Sequence, residues 1–291
     1  MREFVSPAEG DEALHRRLAW WNRRRMAPSA PSPGWREELA EDHDMRLAEA
    51  QMLEGLRREI AERAAEAPSD PDAFIAWFEA LKEKGPGQGD PLFPWLGEAA
   101  SLDQMRWFLR QEAAGEAGFD DLVALTQVKM PTLPKLELAR NYWDEMGRGS
   151  EGGMHGPMLD RTVAGLELNP TIDETLWQSL ALANTMTAMA TNRAYAFHSL
   201  GALGAVELTA PGRVAEVAAG LKRLGVEPAL RKYFQLHAVL DIEHSKDWNE
   251  HAIHPLLEDQ PQTARWIAEG ALMRLTCGAR CFEAYRSELW G

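Results

Sequence analysis

The sequence predicts an all-α protein, and three observations support that prediction. Ala, Leu, Glu and Arg, all of which favour helices, dominate the 291 residues. β-branched residues are sparse, and no segment alternates apolar and polar residues over the length of a strand. Prolines and glycines divide the chain into stretches of helical length. We therefore expect an architecture of helices without a sheet.

The overall composition limits the classes of function. Hydrophobic residues make up 45% of the chain and charged residues 26%, as in a globular protein. No apolar run approaches the roughly 20 residues that span a bilayer, and the start Met1-Arg2-Glu3 is polar, so we expect a cytoplasmic protein without membrane contact. The net charge of −14 argues against nucleic acid as a partner. Cys277 and Cys281, one helical turn apart, are expected to be reduced and packed.

The N-terminal part is expected to contain an arm and two helices that carry no cluster of metal ligands. Ala27–Gly34 holds three prolines and two serines, and residues 1–34 are expected to form a flexible arm. Trp35–Ala67 predicts a long charged helix, and Asp72–Lys84 predicts a second helix with an apolar side. Residues 35–91 are thus a helical extension that covers the rest of the protein or a partner subunit, as in a homodimer.

Residues 92–291 are expected to form the main domain, in which the helices are more apolar. The predicted helices are Leu102–Val128, Lys135–Met146, Asp173–Ala205, a short helix to Leu224, Pro228–His251 and Pro261–Leu289. A glycine-rich break, Gly147–Pro157, follows the second of these. Thr209 is the expected N-cap of the short helix, with Pro211 in its first turn.

The helix over Pro228–His251 carries three residues of metal-ligand type on one face. At about 100° per residue, Asp241 lies roughly 40° and His244 roughly 20° from the direction of His237. The residues between them are apolar, which favours a helix packed inside the protein. The alternative is that these are core histidines satisfied by hydrogen bonds. The choice depends on whether the chain supplies further ligands.

Three residues elsewhere supply the missing ligand types. Glu207 lies in an apolar run, where an ionised carboxylate would cost several kcal/mol unless it were paired or bound to a metal. Glu145 and His155 flank the glycine-rich break, so one helix can end with the carboxylate and the next begin with the imidazole. The complete set is Glu145, His155, Glu207, His237, Asp241 and His244. These carboxylates and imidazoles, without a thiolate, suit two ferrous or manganous ions in a helical bundle.

The order of these residues resembles that in the haem-oxygenase-like diiron oxidase and oxygenase superfamily, the iron-containing redox enzymes. The resemblance rests on Leu138–Gly149, then His155, Glu207 and the His237-x-x-x-Asp241-x-x-His244 motif, and it covers the chain from about Leu92 onward. It implies a haem-oxygenase-like seven-helix bundle with extra N-terminal helices. It also implies that Glu145, His155 and either Asp241 or Glu207 serve one iron, that the remaining ligands serve the other, and that a carboxylate bridges them.

The resemblance suggests a further ligand and several iron-free alternatives. Members that oxidise amine nitrogen use an additional carboxylate from the preceding core helix. Glu112 is the candidate here and Glu116 the alternative, unless both are ordinary surface glutamates. Relatives without iron include pyrroloquinoline-quinone synthase and thiaminase-like proteins. The latter need a nucleophilic core cysteine, whereas both cysteines of this chain fall on its last predicted helix.

The resemblance implies a non-haem diiron oxidoreductase that binds two Fe(II) ions and uses O2 as co-substrate to oxidise a small organic molecule. N-oxygenation of an amine or amino acid is the first expectation. Desaturation, or oxidative C–C cleavage of an amino acid or fatty acid, is the alternative, and an external electron donor is compatible with each reaction.

Two rivals come from other classes of protein. One is a non-catalytic bundle that binds metal or a small molecule. The other is a ferritin-like store, which fits less well because Met186, Met189, Tyr195 and Phe197 suggest apolar substrate space, although such residues are more often simply core.

Overall fold

The computed structural model describes residues 10–115 and 118–291, and these residues contain helices and no strand. The all-α prediction is confirmed. Within the same residues, no helix is both long and apolar enough to cross a membrane. The polar start Met1–Glu3 and the alternative ligand Glu116 lie outside the described residues.

Thirteen α-helices follow one another along the described chain. They are α1 (Asp11–Met26), α2 (Trp35–Ala64), α3 (Pro71–Lys84), α4 (Leu92–Glu98), α5 (Leu102–Gly115), α6 (Phe119–Thr126), α7 (Thr132–Glu145), α8 (His155–Gly165), α9 (Trp177–Thr191), α10 (Ala196–Arg223), α11 (Lys232–Asp247), α12 (His254–Asp259) and α13 (Ala264–Trp290). A π-helical segment, Trp248–Ile253, connects α11 to α12. The main hydrophobic core is shared by α2, α3, α9, α10, α12 and α13, so the N-terminal helices pack into the body of the protein.

The segment expected to be a flexible arm contains a packed helix. α1 contacts α9 and α2, and its Leu18 and Trp21 are buried. The Trp21 indole Nε1 donates a hydrogen bond to Asp42 Oδ1 at 2.7 Å. The expectation of a flexible arm is therefore wrong for residues 11–26. The signal for this helix is an apolar stripe at helical spacing, formed by Leu14, Leu18 and Trp21. The arginines around it make the segment basic on average, so its composition does not indicate a buried helix.

His15 on α1 makes the stability of the protein depend on pH. It is buried, it stacks on Trp177 with ring centroids 5.7 Å apart, and its carbonyl accepts a hydrogen bond from Asn184 Nδ2. Burial lowers the pKa of His15 from 6.5 to about 4, so the folded protein holds the neutral ring. Between these values the unfolded chain binds more protons than the folded one. The contribution of His15 is therefore complete above pH 6.5 and is lost as the pH falls through about 4.

We expect the His15→Gln substitution to reduce the loss of stability on acidification. In wild type the group contributes a slope of up to about 1.4 kcal/mol per pH unit across that window. Urea unfolding at a series of pH values measures the free energy of unfolding for each variant. His251→Gln, at an exposed histidine, is the control and should keep the wild-type slope. If His15→Gln also keeps it, the neutral buried ring is not the origin of the effect.

Two predicted helices are each divided in the structure. The segment Leu102–Val128 forms α5 and α6, and Gly118 precedes α6 with φ +70°, a left-handed conformation that favours glycine. The segment Asp173–Ala205 is interrupted at Asn192, whose backbone is extended and whose Oδ1 accepts a hydrogen bond from Ala194 N at 3.1 Å. An asparagine that caps a new turn in this way ends α9. The run of small residues continues past Asn192, so no clear signal in the sequence indicates the end of α9.

α10 continues through the position at which the sequence predicts a new helix. Thr209 does not act as an N-cap, because its hydroxyl donates to Ala205 O at 2.6 Å within the same helix. Pro211 lies inside α10. The predicted N-cap is therefore wrong, and the short helix ending near Leu224 is the C-terminal part of α10. As a result Glu207 lies in the middle of a long helix.

Two glycines hold α10 close to α13. A Cβ on Gly201 would collide with the backbone oxygen of Ile267, and one on Gly270 would collide with that of His198. Only glycine at both positions permits this reciprocal backbone contact. The contact fixes the position of α10 against α13, and thereby the position of Glu207 on α10.

The ligand-bearing helix α11 lies at the surface rather than inside the protein. His237, Asp241 and His244 are buried, but Val239 is 68% and Ile242 is 54% exposed. The expectation of a fully internal helix is therefore wrong. The predicted ligand face points inward, whereas Val239 and Ile242 lie on the outer face. Their apolar character alone could not indicate this exposure.

Candidate metal centre

Four helices bring the six predicted ligands into one interior region. Glu145 is the last residue of α7, His155 is the first residue of α8, and Glu207 lies on α10. α11 supplies the remaining three. All six side chains are at most 9% exposed. The structure thus brings together residues that are up to 99 positions apart in the chain, from Glu145 to His244.

The six residues form two groups. Glu145, His155 and His237 offer ligand atoms that lie within 4.8 Å of one another, and so do Glu207, Asp241 and His244. The resemblance assigned Asp241 or Glu207, not His237, to Glu145 and His155, whereas in the structure His237 lies closest to these two residues. With a rise of about 1.5 Å per residue, His237 and His244 are roughly 10 Å apart along α11 and reach different groups.

The glycine-rich break brings the first two ligands together. The chain turns back at Gly147, which has φ +62° and whose added Cβ would collide with the backbone of Gly153 and Met154. The reversal places Glu145 Oε2 2.8 Å from His155 Nδ1. The sequence prediction that one helix ends in the carboxylate and the next begins with the imidazole agrees with these positions.

A backbone hydrogen bond orients His237. Its Nδ1 donates to Tyr233 O at 2.8 Å, which leaves Nε2 as the nitrogen available to a metal. Its ring contacts those of Tyr233 and His155, with centroids 4.2 and 4.6 Å away. Burial lowers the pKa of His237 and so favours the neutral ring that a metal requires.

Two residues that the sequence analysis did not select support the second group. Asn141 Nδ2 donates to Glu207 Oε1 at 2.6 Å and lies 3.3 Å from His244 Nδ1. Asp144 Oδ2 lies 3.3 Å from His244 Nε2. Both residues precede Glu145 on α7, and Asn141 lies one turn before it on the same face. That spacing was the available signal for Asn141.

The electrostatics of the second group are those of crowded buried acids. Burial, followed by the negative charge of Glu207, raises the pKa of Asp241 to about 9. Burial also raises the pKa of the Glu207 carboxyl. For His244, burial acts to lower the pKa, but Glu207, 3.6 Å away, together with Asp144 and Asp241 outweighs it and raises the pKa to about 9. A divalent cation would compensate these carboxylates in place of protons.

Unpartnered buried atoms also fit a metal centre. Asp241 Oδ1 has no hydrogen-bond partner among the described residues. His155 Nδ1 lies close to Glu145 Oε2 but lacks hydrogen-bond geometry. Buried polar atoms are normally hydrogen-bonded, so ligand-type atoms without hydrogen-bond partners in these two groups are compatible with a role as metal ligands. The oxygen and nitrogen donors are those that iron accepts.

Glu112 lies on the wall of a cavity beside this centre and belongs to neither group. Its Oε1 accepts a hydrogen bond from Tyr285 Oη at 2.8 Å. Its side chain is exposed by accessible surface, yet the protein around it raises the pKa of the carboxyl by desolvation, which the Tyr285 hydrogen bond opposes. Its role as an additional ligand stays a prediction.

The cavity has a volume of about 160 Å³ and reaches four of the ligand residues. Among the apolar residues that suggested substrate space, Met186 lines this cavity. Met189 is fully buried in the core, Tyr195 donates a hydrogen bond to Glu54, and Phe197 stacks on Trp266. Met189 and Tyr195 belong to the main hydrophobic core, and Phe197 packs against it.

A helical bundle that gathers buried carboxylates and imidazoles has the architecture of non-haem metalloproteins. Comparison with known families is more specific: the chain belongs to the iron-containing redox enzyme family, whose model matches residues 106–279. This membership confirms the superfamily resemblance and indicates an oxidoreductase that contains iron.

Other comparisons add little about function. No curated protein matches the chain. Among solved structures, the chain is similar to a CADD-like protein of unknown function from Nostoc punctiforme, with 16% sequence identity and a TM-score of 0.49. That similarity covers 82% of this chain and 99% of the other.

Proposed function

We propose that the protein is a non-haem diiron oxidoreductase that uses O2 to oxidise a small organic substrate. Glu145, His155 and His237 hold one iron, and Glu207, Asp241 and His244 hold the other. The observation that carries this proposal is the pair of three-residue groups, both served by one face of α11 and both opening on the same cavity. A storage or purely structural site would not need that adjoining space.

Two Fe(II) ions bound there would supply the electrons that activate O2. The chain's own residues orient the ligands and shape the cavity. Tyr233 O fixes the tautomer of His237, and Asn141 Nδ2 fixes the Glu207 carboxylate. Leu122 and Met186 supply apolar wall beside the ligands and limit the access of water.

A chain of hydrogen bonds is placed to hold a proton beside the substrate space. Ser179 Oγ lies 2.8 Å from Tyr285 Oη, which in turn donates to Glu112 Oε1. Because burial raises the pKa of Glu112, its carboxyl retains a proton more readily than an exposed glutamate does. A group of this kind can exchange a proton with a substrate in the cavity.

Within this class, N-oxygenation of an amine or amino acid is our first choice of reaction, supported by the position of Glu112 on the cavity wall. Desaturation or C–C cleavage of an amino acid or fatty acid is the alternative. An external electron donor would complete the electron balance where the substrate supplies too few electrons. The rival outside this class is a bundle that binds metal or a small molecule without turnover.

We expect iron-loaded protein to consume O2 in a substrate-dependent manner. The test is aerobic incubation with pools of amines, amino acids and fatty acids, with O2 uptake recorded at an electrode and products identified by mass spectrometry. Product formation should fall to background in Glu207→Ala, which lacks a ligand of the second group. A wild-type protein that binds two irons but gives no substrate-dependent O2 uptake and no product would support the non-catalytic rival.

A further inference from the structure

A second cavity continues the one beside the metal centre. It has a volume of about 170 Å³ and shares wall residues with the first, among them Glu112, Val206 and Val214. Its wall contains none of the six predicted ligands, but it contains Arg213. The two cavities therefore adjoin each other, with predicted metal ligands on the wall of the first and Arg213 on the wall of the second.

Arg213 places a cation in this space and forms no direct ion pair among the described residues, although the charge of Glu112, on the wall shared by both cavities, acts on it. Its Nε donates to Thr209 O at 2.9 Å and its Nη2 donates to the Thr209 hydroxyl. Its guanidinium lies 5.3 Å from the centre of the Phe282 ring and 5.8 Å from that of Phe93. Its direct contacts are thus a carbonyl, a hydroxyl and two rings, and Glu112 and Arg274 line the same cavity.

The guanidinium retains the capacity to bind an anion. Arginine has five N–H donors, and the bonds to Thr209 use two of them. Burial, followed by the positive charge of Arg274, lowers the pKa of Arg213 to about 9 against the opposing charge of Glu112, so the group is still a cation at neutral pH. A buried cation is costly unless a negative group compensates it, and arginine matches the two oxygens of a carboxylate.

We propose that Arg213 is the specificity-determining residue of the cavity and binds the carboxylate of an organic acid whose apolar body extends toward the metal centre. The inference rests on the proposed function for its assumption that this cavity receives the substrate. The walls that the two cavities share suit a hydrocarbon body, since Leu182, Val206 and Val214 line both.

This placement fixes which end of the substrate reacts. Arg213 follows Glu207 by six residues on α10, a rise of roughly 9 Å. An acid anchored at Arg213 therefore needs several carbon atoms to reach the metal centre. An amino acid bound in this way presents its side chain, not its α-amino group, to the iron.

The test measures binding rather than turnover. Fe(II)-loaded protein is titrated anaerobically with octanoate, octanol and octylamine in a calorimeter, since these probes share a chain length and differ in the head group. We expect octanoate to bind on the order of tenfold or more tightly than the other two, as a charged hydrogen-bonded pair would give. Equal affinities for octanoate and octanol would overturn the proposal without any variant.

Substitutions then locate the carboxylate. Arg213→Met should weaken octanoate on the order of tenfold to hundredfold while leaving octanol unchanged. Arg213→Lys keeps the charge but loses the planar fork, so it should retain an intermediate affinity, and it serves if the methionine variant does not fold. Arg223→Met is the matched control, because Arg223 is on the same helix but binds the carbonyls of Gly97 and Ala100 away from the cavity. Octanoate binding that is unaffected in both Arg213 variants would contradict the proposal.

The same titration distinguishes an amino acid from a fatty acid as the source of the carboxylate. It also tests the carboxylate site separately from the proposed oxidase activity. Tighter binding of 2-aminooctanoate than of octanoate assigns the site to amino acids, and the reverse assigns it to fatty acids. Arg213-dependent binding in a protein that never consumes O2 would support this inference while contradicting the oxidase. Substrate-dependent O2 consumption with binding that does not depend on Arg213 would do the opposite.

Discussion

Replacement of His237 or His244 by alanine is expected to lower the iron content of Fe(II)-loaded protein from about two ions per chain to about one or fewer, and to abolish turnover. The two histidines are ligands that α11 gives to different groups. Removal of one leaves an open coordination position and nearby buried carboxylates without compensation. Iron bound after gel filtration, determined by plasma mass spectrometry, measures the effect directly.

Two glutamates provide the matched comparison for this prediction. Glu207 is 2% exposed within the second group, whereas Glu243, adjacent to His244 in sequence, is exposed on the outer face of α11. Glu207→Ala should therefore lose iron and activity, and Glu243→Ala should retain both. Equal losses in these two variants would mean that the ligand face of α11 is misassigned. Full iron and activity in both histidine variants would make the diiron assignment wrong.

The helix that carries three ligands could be interpreted from sequence because its geometry is fixed. Spacings of four and three residues put His237, Asp241 and His244 on one face whatever surrounds the helix. Their partition between two groups could not be predicted in the same way. It depends on the positions of α7, α8 and α10 relative to α11, which tertiary packing determines.

The errors in the predicted helix boundaries arose where tertiary contacts outweighed local sequence signals. Proline and a capping residue predicted a helix start at Thr209, but the packing of α10 on α13 through Gly201 and Gly270 keeps the helix continuous. In contrast, the run of small residues predicted one helix over Asp173–Ala205, but the structure ends α9 before Asn192.

Arg213 illustrates what a single sequence cannot reveal about a site. The residues that form its surroundings come from α4, α10 and α13, and Phe93 and Phe282 are 189 positions apart in the chain. Nothing in the sequence near Arg213 distinguishes it from Arg223 on the same helix. The significance of Arg213 comes from its position on the cavity wall and from the absence of a direct ion pair among the described residues.

Metal binding is also expected to order α11. This helix contributes three of the six buried ligands, and its outer face, with Val239 and Ile242, has no cover among the described residues. Without metal, the inner face holds acids such as Asp241 in a setting that favours protonation. Opening of the helix lets water solvate these groups, and Fe(II) supplies the free energy that closes it. Gly225, with φ +76°, lies in the turn before Pro228 and provides a hinge.

Hydrogen exchange over residues 229–249, with and without Fe(II), measures this ordering. A ligand that binds the closed state shifts the opening equilibrium in proportion to its saturation, so Fe(II) at about a hundred times its Kd should slow exchange roughly hundredfold. α13 is the internal control, because its close packing on α10 does not involve the ligands and its protection should not change. Protection of α11 that is already high without metal, and unchanged by Fe(II), would show that the inner face tolerates its charges through the protein's own hydrogen bonds.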